Sequence, residues 1–377
     1  MKRRYDVVVI GAGPVGSFTA YQLAERGLKV CLIDKKERIG EDSICAGVIG
    51  REAFERYDLP ADTVLSSINS VSFFSPFGQR LEYEQKNFFA YVVDRDLFDR
   101  KLFLRAKKRG VEIFLGQRVS DISGAPYFYT VKSNRQTHNT KAVVVATGID
   151  CRLHEKVGLK PPPQYLYGSQ IEIAVPHSPT KLEIHIGRDF APGSFGWLIP
   201  FRKGHAKIGV LLPQTSKKWL KKFVQQRLGI NHGFDEKNIR IKAIAYGPVD
   251  KSVNGNILLV GEAAGQVKTT TGGGIFYGLL CSEIAVDNLV RTLKDGYGLS
   301  EYDITWRSAL ASELDIGRNL RLIAAKLDDQ KVENLFSFVK QNRFWVELLV
   351  PRIDFDYHSN VIFFCMKSFG QLLRLGD

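Results

Sequence analysis

The sequence predicts a mixed α/β chain, α+β overall, in which a nucleotide-binding unit is interleaved with an antiparallel sheet and followed by helices. Three observations predict this class. A buried strand at the start of the chain runs into a glycine-rich turn and a helix. Further buried strands ending in small residues return at 142–148 and 256–265. Short alternating strands occupy 68–92 and 167–212, and helical patterns dominate after residue 299.

The start of the chain forms a complete strand–turn–helix–strand unit of the Rossmann type. An apolar strand over 5–10 enters the turn 11–16, a helix pattern covers 17–26, and a second apolar strand covers 29–33. These elements in this register are the context that a dinucleotide-binding fingerprint requires. We therefore predict a nucleotide site on Gly11, Ala12, Gly13, Pro14, Val15 and Gly16.

Each glycine of this turn has a separate predicted role. Gly11 permits the tight turn, Gly13 lets the backbone approach a pyrophosphate, and Gly16 lets the helix pack on the strand. The helix N-terminus then directs free N–H groups and positive potential at the phosphates. Asp34 ends the second strand, where an acid binds a ribose and disfavours a 2′-phosphate. At this point FAD and NAD both stay open, whereas NADP does not.

The size and composition describe an ordinary globular protein of more than one domain. The chain has 377 residues, 44% hydrophobic and 25% charged. No apolar run approaches the roughly eighteen residues of a membrane span. The basic start at 2–4 precedes a strand containing Asp6, so we expect no cleaved signal peptide. Five scattered cysteines predict neither disulfides nor zinc, so we expect no metal and a cytoplasmic location.

The net charge of +13 and the pI near 9.4 favour an anionic partner. No nucleic-acid-binding module is visible, so the suitable partners are an anionic membrane surface or an acidic electron-donor protein. A helix pattern over 216–228 places Trp219, Leu220 and Phe223 on one face flanked by lysines. Such a helix suits peripheral contact with the inner membrane surface, and packing on a neighbouring sheet is the alternative.

The alternating strands contain many aromatic residues. The stretch 68–92 predicts a hairpin from strands at 69–75 and 80–84, and four more strands are expected over 167–212. We assign 68–92 and 166–239 to a sheet domain that binds the substrate. A pocket for a long apolar substrate would use aromatic side chains, which here are Phe73, Phe74, Phe77, Tyr83, Phe88, Phe89 and Tyr91.

Two further stretches return the chain to the nucleotide unit, where small residues end buried strands at 146–148 and 261–265. Three glycines then precede a helix predicted over 275–293, which implies a flat group pressed against bare backbone. The positive end of that helix suits a ring system that becomes anionic on reduction. We predict a discontinuous nucleotide-binding domain and a C-terminal helical region, with boundaries at 1–67, 93–165 and 240–298, and at 299–377.

This order of motifs resembles the FAD-binding fold of p-hydroxybenzoate hydroxylase and its relatives over nearly the whole chain. The resemblance implies one non-covalently bound FAD and, since the fingerprint occurs once, no second Rossmann domain for NAD(P)H. In that fold Arg95, opening a helix predicted over 95–109 after Asp94, contacts the flavin, and Glu262 replaces an aspartate on the ribityl chain. The implied FAD-binding residues are Gly11, Ala12, Gly13, Pro14, Val15, Gly16, Asp34, Lys35, Cys45, Ala46, Gly47, Arg95, Ala146, Thr147, Gly148, Gly261, Glu262, Gly272, Gly273, Gly274 and Ile275.

Three stretches are similar more specifically to the geranylgeranyl reductase family. The run Val-Lys-Thr-Thr-Thr-Gly-Gly-Gly-Ile at 267–275 matches the start of the family's flavin-covering helix. The run 192–200 is similar to its Pro-x-x-Tyr-x-Trp-x-Phe-Pro substrate motif, with Phe195 and Ile199 replacing two aromatic residues. The loop carrying Cys45 resembles the family's loop, in which the cysteine faces the flavin. We expect substrate contacts from Phe73, Phe195, Trp197 and Pro200.

The resemblance implies an FAD-dependent oxidoreductase that reduces C=C bonds in a geranylgeranyl or other polyprenyl chain of a lipid or prenyl diphosphate. Cys45 is the candidate for the proton side of the reaction, and the electron donor is NAD(P)H or ferredoxin. Two alternatives use the same fold: a flavin-dependent monooxygenase or halogenase, and a non-enzymatic escort that binds prenyl chains. Fold alone does not choose among them.

Overall fold

Two large sheets and a small one organise the chain. The computed structural model describes residues 4–175, 181–215, 217–231, 234–342 and 354–357. The strands among these residues are β1 Arg4–Ile10, β2 Val30–Ile33, β3 Val48–Gly50, β4 Val64–Ile68, β5 Ser70–Phe74, β6 Arg80–Glu84, β7 Ala90–Val93, β8 Glu112–Phe114, β9 Val119–Ala125, β10 Phe128–Ser133, β11 Thr137–Val145, β12 Gln164–Ala174, β13 Leu182–His185, β14 Phe195–Arg202, β15 His205–Leu212, β16 Arg240–Tyr246, β17 Val253–Asn254 and β18 Ile257–Leu259. The α-helices are α1 Pro14–Glu25, α2 Arg51–Tyr57, α3 Arg95–Lys108, α4 Lys217–Lys222, α5 Ile275–Asp295, α6 Ser300–Lys326 and α7 Asp329–Gln341.

The eight-stranded sheet has a parallel centre in the order β18, β11, β1, β2 and β8. Both faces are covered, which is why the central strands are continuous apolar runs. Val7 and Val9 of β1 pack in one core with residues of α1, α3 and α5, whereas Val8 packs with residues of β9 and β10. All three valines are fully buried.

The predicted strand–turn–helix–strand unit is confirmed. Helix α1 begins at Pro14 rather than at 17, because proline suits the first helical turn, where its missing N–H is not needed. The cap of α3 is also confirmed, since the Asp94 carboxylate accepts hydrogen bonds from the N–H groups of Asp96 and Leu97, each at 3.1 Å.

The seven-stranded sheet runs in the order β16, β12, β15, β14, β13, β5 and β6. All its pairs are antiparallel except β13 with β5. The prediction that 240–298 belong wholly to the nucleotide unit is wrong for Arg240–Tyr246. This strand pairs with β12 along its length and forms the sheet edge. The end of 68–92 also leaves this sheet, because Ala90–Val93 pairs with β3 and β4 in the small sheet.

The basic helix pattern at 216–228 is observed as α4 followed by a π-helical turn, Phe223–Arg227. Leu220, Phe223 and Val224 are fully buried in a cluster with apolar residues of β12 and β15. Of the two alternatives predicted for this helix, packing on a neighbouring sheet is the one observed. The apolar face of this helix is in the core, where it cannot insert into a bilayer.

The C-terminal region contains α6 and α7, in agreement with the helical patterns after 299. Phe363, Phe364 and Phe369 in the aromatic-rich stretch near the end of the sequence lie outside the described residues, as does Cys365. Within the described part of the chain, no helix combines the length and the apolarity needed to cross a bilayer.

Candidate active site

A cavity of about 600 Å³ lies between the eight-stranded and the seven-stranded sheets. One side is formed by the loops at the carboxyl ends of β1, β2 and β11. Open α/β sheets bind ligands at this edge. The other side is formed by side chains of β12 to β16. A ligand in this cavity would contact both sheets at once.

The three fingerprint glycines have different surroundings. A Cβ on Gly11, where φ is +105°, would lie 2.3 Å from the carbonyl oxygen of Ala146. A Cβ on Gly16 would lie 1.9 Å from the carbonyl oxygen of Gly11. Gly13 lines the cavity and has nothing within 4 Å of a Cβ position. Gly11 and Gly16 therefore permit close backbone packing, and Gly13 leaves room for a ligand.

Asp34 is held against the fingerprint at the end of β2. Its Oδ2 accepts a hydrogen bond from the N–H of Ala12 at 2.6 Å, and its Oδ1 accepts one from Lys36 at 2.7 Å. The Nζ of the neighbouring Lys35 lies 2.7 Å from Oδ2 of Asp150. Asp34, Lys35 and Asp150 all line the cavity. The carboxylate is thus fixed in place beside the turn that it was predicted to serve.

The glycine loop before α5 is closed by its own backbone. The backbone N–H of Lys268 donates a hydrogen bond to the carbonyl of Gly273, and the backbone carbonyl of Lys268 accepts one from the N–H of Gly272, each at 2.9 Å. Glu262, which precedes this loop, accepts a hydrogen bond from the N–H of Ala245 at 3.0 Å. Its Oε2 lies 3.7 Å from Nζ of Lys242. The loop therefore presents backbone to the cavity, with one carboxylate and one ammonium group beside it.

The opposite wall is apolar and belongs to the seven-stranded sheet. Phe195 and Trp197 line the cavity, and their ring centroids are 6.2 Å apart. The indole needs Gly209, where a Cβ would lie 2.2 Å from Cζ2 of Trp197. The aliphatic part of the wall consists of Leu182, Ile184, Ile199, Leu211 and Ile244.

Two predicted substrate residues do not line the cavity. Phe73 lies on β5, beyond β13, where it packs against the same apolar cluster as Phe195 and Trp197 without lining the cavity. Pro200 lies outside, where its carbonyl accepts a hydrogen bond from Oγ of Ser66 at 3.0 Å. The other aromatic residues expected from 68–92 are absent from the cavity lining too, and Phe77 and Phe88 are exposed. None of the aromatic side chains expected from this stretch therefore lines the cavity, and their contact with the substrate stays a prediction.

The sequence profile of the FAD-dependent oxidoreductase family matches residues 6–71 and 88–234. The chain belongs to this family. The digeranylgeranylglycerophospholipid reductase of Methanocaldococcus jannaschii is 30% identical to this oxidoreductase over 353 residues, covering 88% of this chain and 89% of the relative.

Two solved structures share the fold. A geranylgeranyl bacteriochlorophyll reductase-like protein of Thermoplasma acidophilum superposes on this oxidoreductase with a TM-score of 0.84 at 20% identity, covering 96% of this chain and 95% of the other. The p-nitrophenol 4-monooxygenase of Pseudomonas putida superposes with a TM-score of 0.72 at 16% identity, covering 91% and 94%. The predicted fold class is confirmed, and at these identities neither structure specifies a reaction.

The residues of this oxidoreductase fit its cofactor, FAD. The open space beside Gly13 and the N-terminus of α1 would hold the pyrophosphate, and Asp34 the ribose. The loop 268–274 and the N-terminus of α5 would hold the isoalloxazine ring. Every predicted FAD-binding residue lines the cavity except Gly16 and Gly261. Gly16 packs on Gly11, and a Cβ on Gly261 would lie 3.0 Å from the side chain of Val15.

Cys45 lies in the cavity wall next to Arg95. The guanidinium of Arg95 donates from Nε and Nη2 to the two carboxylate oxygens of Asp99, at 3.0 Å each, and both side chains are only 11% exposed. The Cys45 sulfur accepts a hydrogen bond from the N–H of Gly47 at 3.4 Å. Its carbonyl accepts one from Nε2 of Gln170 at 3.4 Å. The loop is thereby attached to β12 of the substrate wall.

The surroundings of Cys45 favour its thiolate. Burial alone would raise the pKa of the Cys45 thiol, but Arg95, Lys242 and Lys207 and the N–H of Gly47 lower it below its ordinary value. Conversely, burial opposes the charge of Arg95, yet Asp99 and Cys45 raise the pKa of its guanidinium. Burial lowers the pKa of Lys207 in spite of Glu172, whose Oε1 is 3.8 Å from Nζ. The site therefore pairs one half-buried cysteine with several cations.

The lysines of this site were not predicted from the sequence. Lys207 lies on β15, where Ala206 to Leu212 are otherwise apolar or glycine and all buried. A charged residue inside such a strand was the signal that could have identified it. Cys31 and Cys281 are buried in the two cores of the eight-stranded sheet. Among the described residues, no cluster suited to a metal ion is present.

Proposed function

We propose that this oxidoreductase reduces isolated C=C bonds in a geranylgeranyl or other polyprenyl chain, carried by a lipid or a prenyl diphosphate. The observation that carries the proposal is the continuity of the cavity. Glycine loops that fit FAD and the apolar wall of the seven-stranded sheet face the same space. The 30% identity to a digeranylgeranylglycerophospholipid reductase over 88% of this chain supports the same substrate class.

The apolar wall suits a prenyl chain because such a chain can be bound only by burial. Each buried CH₂ group contributes about 0.8 kcal/mol. Phe195 and Trp197 offer two aromatic rings, and the aliphatic residues of β13 to β16 complete the surface. Phenylalanine at 195, in place of the tyrosine of the resembled motif, keeps this surface free of a hydroxyl group.

The chemistry requires a hydride and a proton. FAD, when bound and reduced, supplies the hydride equivalent. An isolated C=C bond has no carbonyl to stabilise negative charge, so a proton has to reach one carbon early or together with the hydride. The protein must therefore hold the alkene in place, exclude water and provide a positioned acid.

We propose Cys45 as that acid. It lies in the wall of the cavity, and Gln170 attaches its loop to strand β12 of the substrate wall. Arg95, Lys242 and Lys207 lower the pKa of its thiol, which makes the thiol a stronger acid toward a weak base such as an alkene. Its protonated fraction at neutral pH falls for the same reason, and turnover should rise as the pH is lowered.

The partners follow from charge and substrate. The net charge of +13 supports an anionic membrane surface as the source of a lipid substrate, and an acidic protein such as ferredoxin as the electron donor. NAD(P)H is the alternative donor. The exposed Lys217 and Lys218 of α4 could contribute to membrane attraction through charge alone, since the apolar face of that helix is buried.

The decisive experiment is anaerobic turnover of a geranylgeranyl substrate by dithionite-reduced enzyme, followed by mass spectrometry of the lipid. We expect a gain of two hydrogens for each bond reduced. Product formed only with dioxygen, with release of peroxide, would instead identify a monooxygenase. A colourless protein that binds the chain without changing it would identify an escort.

A further inference from the structure

Residues 354–357, here named the strap, lie between the apolar cluster of the seven-stranded sheet and the core of the nucleotide-binding unit. Phe355 packs in the cluster of the seven-stranded sheet, with its ring 6.1 Å from that of Phe89. Tyr357 packs against the core of the nucleotide unit, with its ring 5.7 Å from that of Phe276 in an edge-to-face arrangement. The strap thus joins the substrate wall to the flavin side of the cavity.

A buried ion pair holds the strap in place. Nζ of Lys268 lies 2.5 Å from Oδ1 of Asp356, and the two side chains are only 7% and 3% exposed. The same ammonium group donates to the carbonyl of Phe355 at 2.8 Å and lies 4.4 Å from the centre of its ring. The hydroxyl of Tyr277 donates to the carbonyl of Asp356 at 2.9 Å. Asp354 accepts from two N–H groups of the strap, at 2.7 and 3.0 Å.

The absence of a side chain at Gly50 leaves the space that the strap occupies. A Cβ on Gly50, at the end of β3, would lie 2.0 Å from Oδ2 of Asp356 and 3.1 Å from the ring of Phe355. Gly50 has φ of −61°, which any residue can adopt, so its missing side chain serves to admit the strap. Lys268 is also the residue whose backbone closes the glycine loop.

We propose that Phe355 is a specificity-determining residue that contacts the prenyl chain, and that the Lys268–Asp356 pair positions it. The inference rests on the proposed substrate class. Phe355 and Asp356 both line the cavity, and Phe355 belongs to the same apolar cluster as Phe195 and Trp197. None of the residues expected to bind the substrate from the sequence covers this part of the cavity wall.

A buried ion pair is suited to positioning. Desolvation offsets much of the attraction in such a pair, so its contribution to stability is small, but removal of one partner leaves an uncompensated charge. The pair therefore disfavours every arrangement of the strap other than the one in which Asp356 meets Lys268. Because Lys268 also closes the glycine loop, the same pair fixes Phe355 relative to the flavin side of the cavity.

The test compares chain-length preference among strap variants of the FAD-loaded enzyme. The probes are farnesyl, geranylgeranyl and geranylfarnesyl diphosphates, with binding of the saturated phytanyl diphosphate measured separately. For Phe355→Ala we expect KM for the geranylgeranyl probe to rise about tenfold, with a shift in preference toward the longest chain. kcat and FAD content should change less than twofold. Phe355→Leu should fall between this variant and the wild type.

The ion pair is tested by Asp356→Asn, which should reproduce the change in KM although residue 356 carries no apolar group. The double variant Lys268→Met with Asp356→Leu should fold, because no charge is left unpaired, but it should not recover the wild-type chain-length preference. Tyr357→Phe is the matched control within the strap and should retain the wild-type profile, since Tyr357 does not line the cavity.

The outcomes separate this inference from the proposed function. If the wild type reduces prenyl chains and the Phe355 variants keep its chain-length profile, the strap proposal alone is wrong. If the wild type binds the phytanyl probe but reduces no chain, the proposed function is wrong. In that case, weaker binding of the phytanyl probe by the Phe355 variants would still support the contact between Phe355 and the prenyl chain, and unchanged binding would contradict it. A wild type that binds no probe overturns both.

Discussion

The two halves of the cavity are built from different parts of the polypeptide. On the nucleotide side the contacts are backbone, and what matters is the absence of side chains at Gly11, Gly13 and the loop 272–274. On the substrate side the contacts are side chains from β12 to β16 and from the strap. This difference indicates that a site for a charged dinucleotide cofactor can be encoded by short local motifs. A site for a flexible apolar chain is assembled from distant strands.

Two glycine substitutions separate packing from ligand contact on the nucleotide side. Gly16→Ala places a Cβ 1.9 Å from backbone, so we expect a destabilisation of about 3 kcal/mol and loss of FAD-loaded protein. Gly13→Ala meets no protein atom within 4 Å, so the melting temperature of the apoprotein should be unchanged while FAD affinity falls. Thermal unfolding and FAD titration measure the two effects. Wild-type FAD affinity in Gly13→Ala would contradict the placement of the pyrophosphate.

Cys45 lies where the two halves of the cavity meet. Its substitution tests whether the thiol takes part in the reaction or only packs in the wall. Cys45→Ala should lower anaerobic turnover by roughly 10²- to 10⁴-fold, the effect of losing a positioned acid. FAD content, photoreduction of the flavin and the melting temperature should change little. Cys281→Ala is the control, because this fully buried cysteine should affect stability and not turnover per folded molecule. The opposite pattern would make Cys45 a packing residue.

Asp34 is the side chain on the nucleotide side that we expect to bind the ribose of FAD. Asp34→Ala should weaken FAD binding by about 1.5–3 kcal/mol, or roughly 10- to 150-fold, because a charged hydrogen-bond acceptor for the ribose is lost. The measurement is the dissociation constant of FAD by fluorescence titration. Unchanged affinity would show that the carboxylate serves only its hydrogen bonds to Ala12 and Lys36.

The pH dependence of Cys45 reactivity measures the effect of the cations that both halves of the cavity place around its thiol. Arg95 comes from α3 with its partner Asp99, Lys207 from β15 with Glu172, and Lys242 from β16 with Glu262. Because these cations lower the pKa of Cys45, its alkylation by iodoacetamide should reach half-maximal rate at a lower pH than that of an ordinary thiol. Lys207→Met should move this midpoint upward. Turnover should show the opposite sign, rising as the pH falls through the pKa, because the acid form is the donor.

The smallest expected effect per residue concerns the outer surface of the substrate side. Neutralising Lys217, Lys218, Lys221 and Lys222 should weaken binding to anionic liposomes by up to about 1 kcal/mol per lysine, and less as salt rises. Lys221 should contribute least, because it lies 2.7 Å from Oε1 of Glu236. Sedimentation with neutral liposomes is the control. Unchanged binding by the quadruple variant would exclude α4 as a contact.

The cofactor half could be predicted because its signals are local. The fingerprint at 11–16, the acid at the end of β2 and the glycines before α5 each lie within a few residues of the element they serve. Their order along the chain also follows the strands of one sheet. The cap of α3 at Asp94 is predictable for the same reason, since a helix cap depends on the next three residues.

The substrate half could not be predicted to the same degree. Phe73 and Pro200 have the right chemical character but do not line the cavity, because sheet order and not sequence order decides which residues face it. Arg240–Tyr246 shows the same effect, since only its pairing with β12 places Lys242 beside Glu262.

By itself, the sequence determined that this protein binds a dinucleotide on a Rossmann-type unit, because glycine turns and strand-end acids work through backbone geometry that neighbouring residues dictate. Only the tertiary structure decided which side chains surround Cys45 and which residues close the cavity. Lys207 and Lys268 meet Cys45 and Asp356 from remote parts of the chain, and burial and charge act through space, independently of position in the sequence.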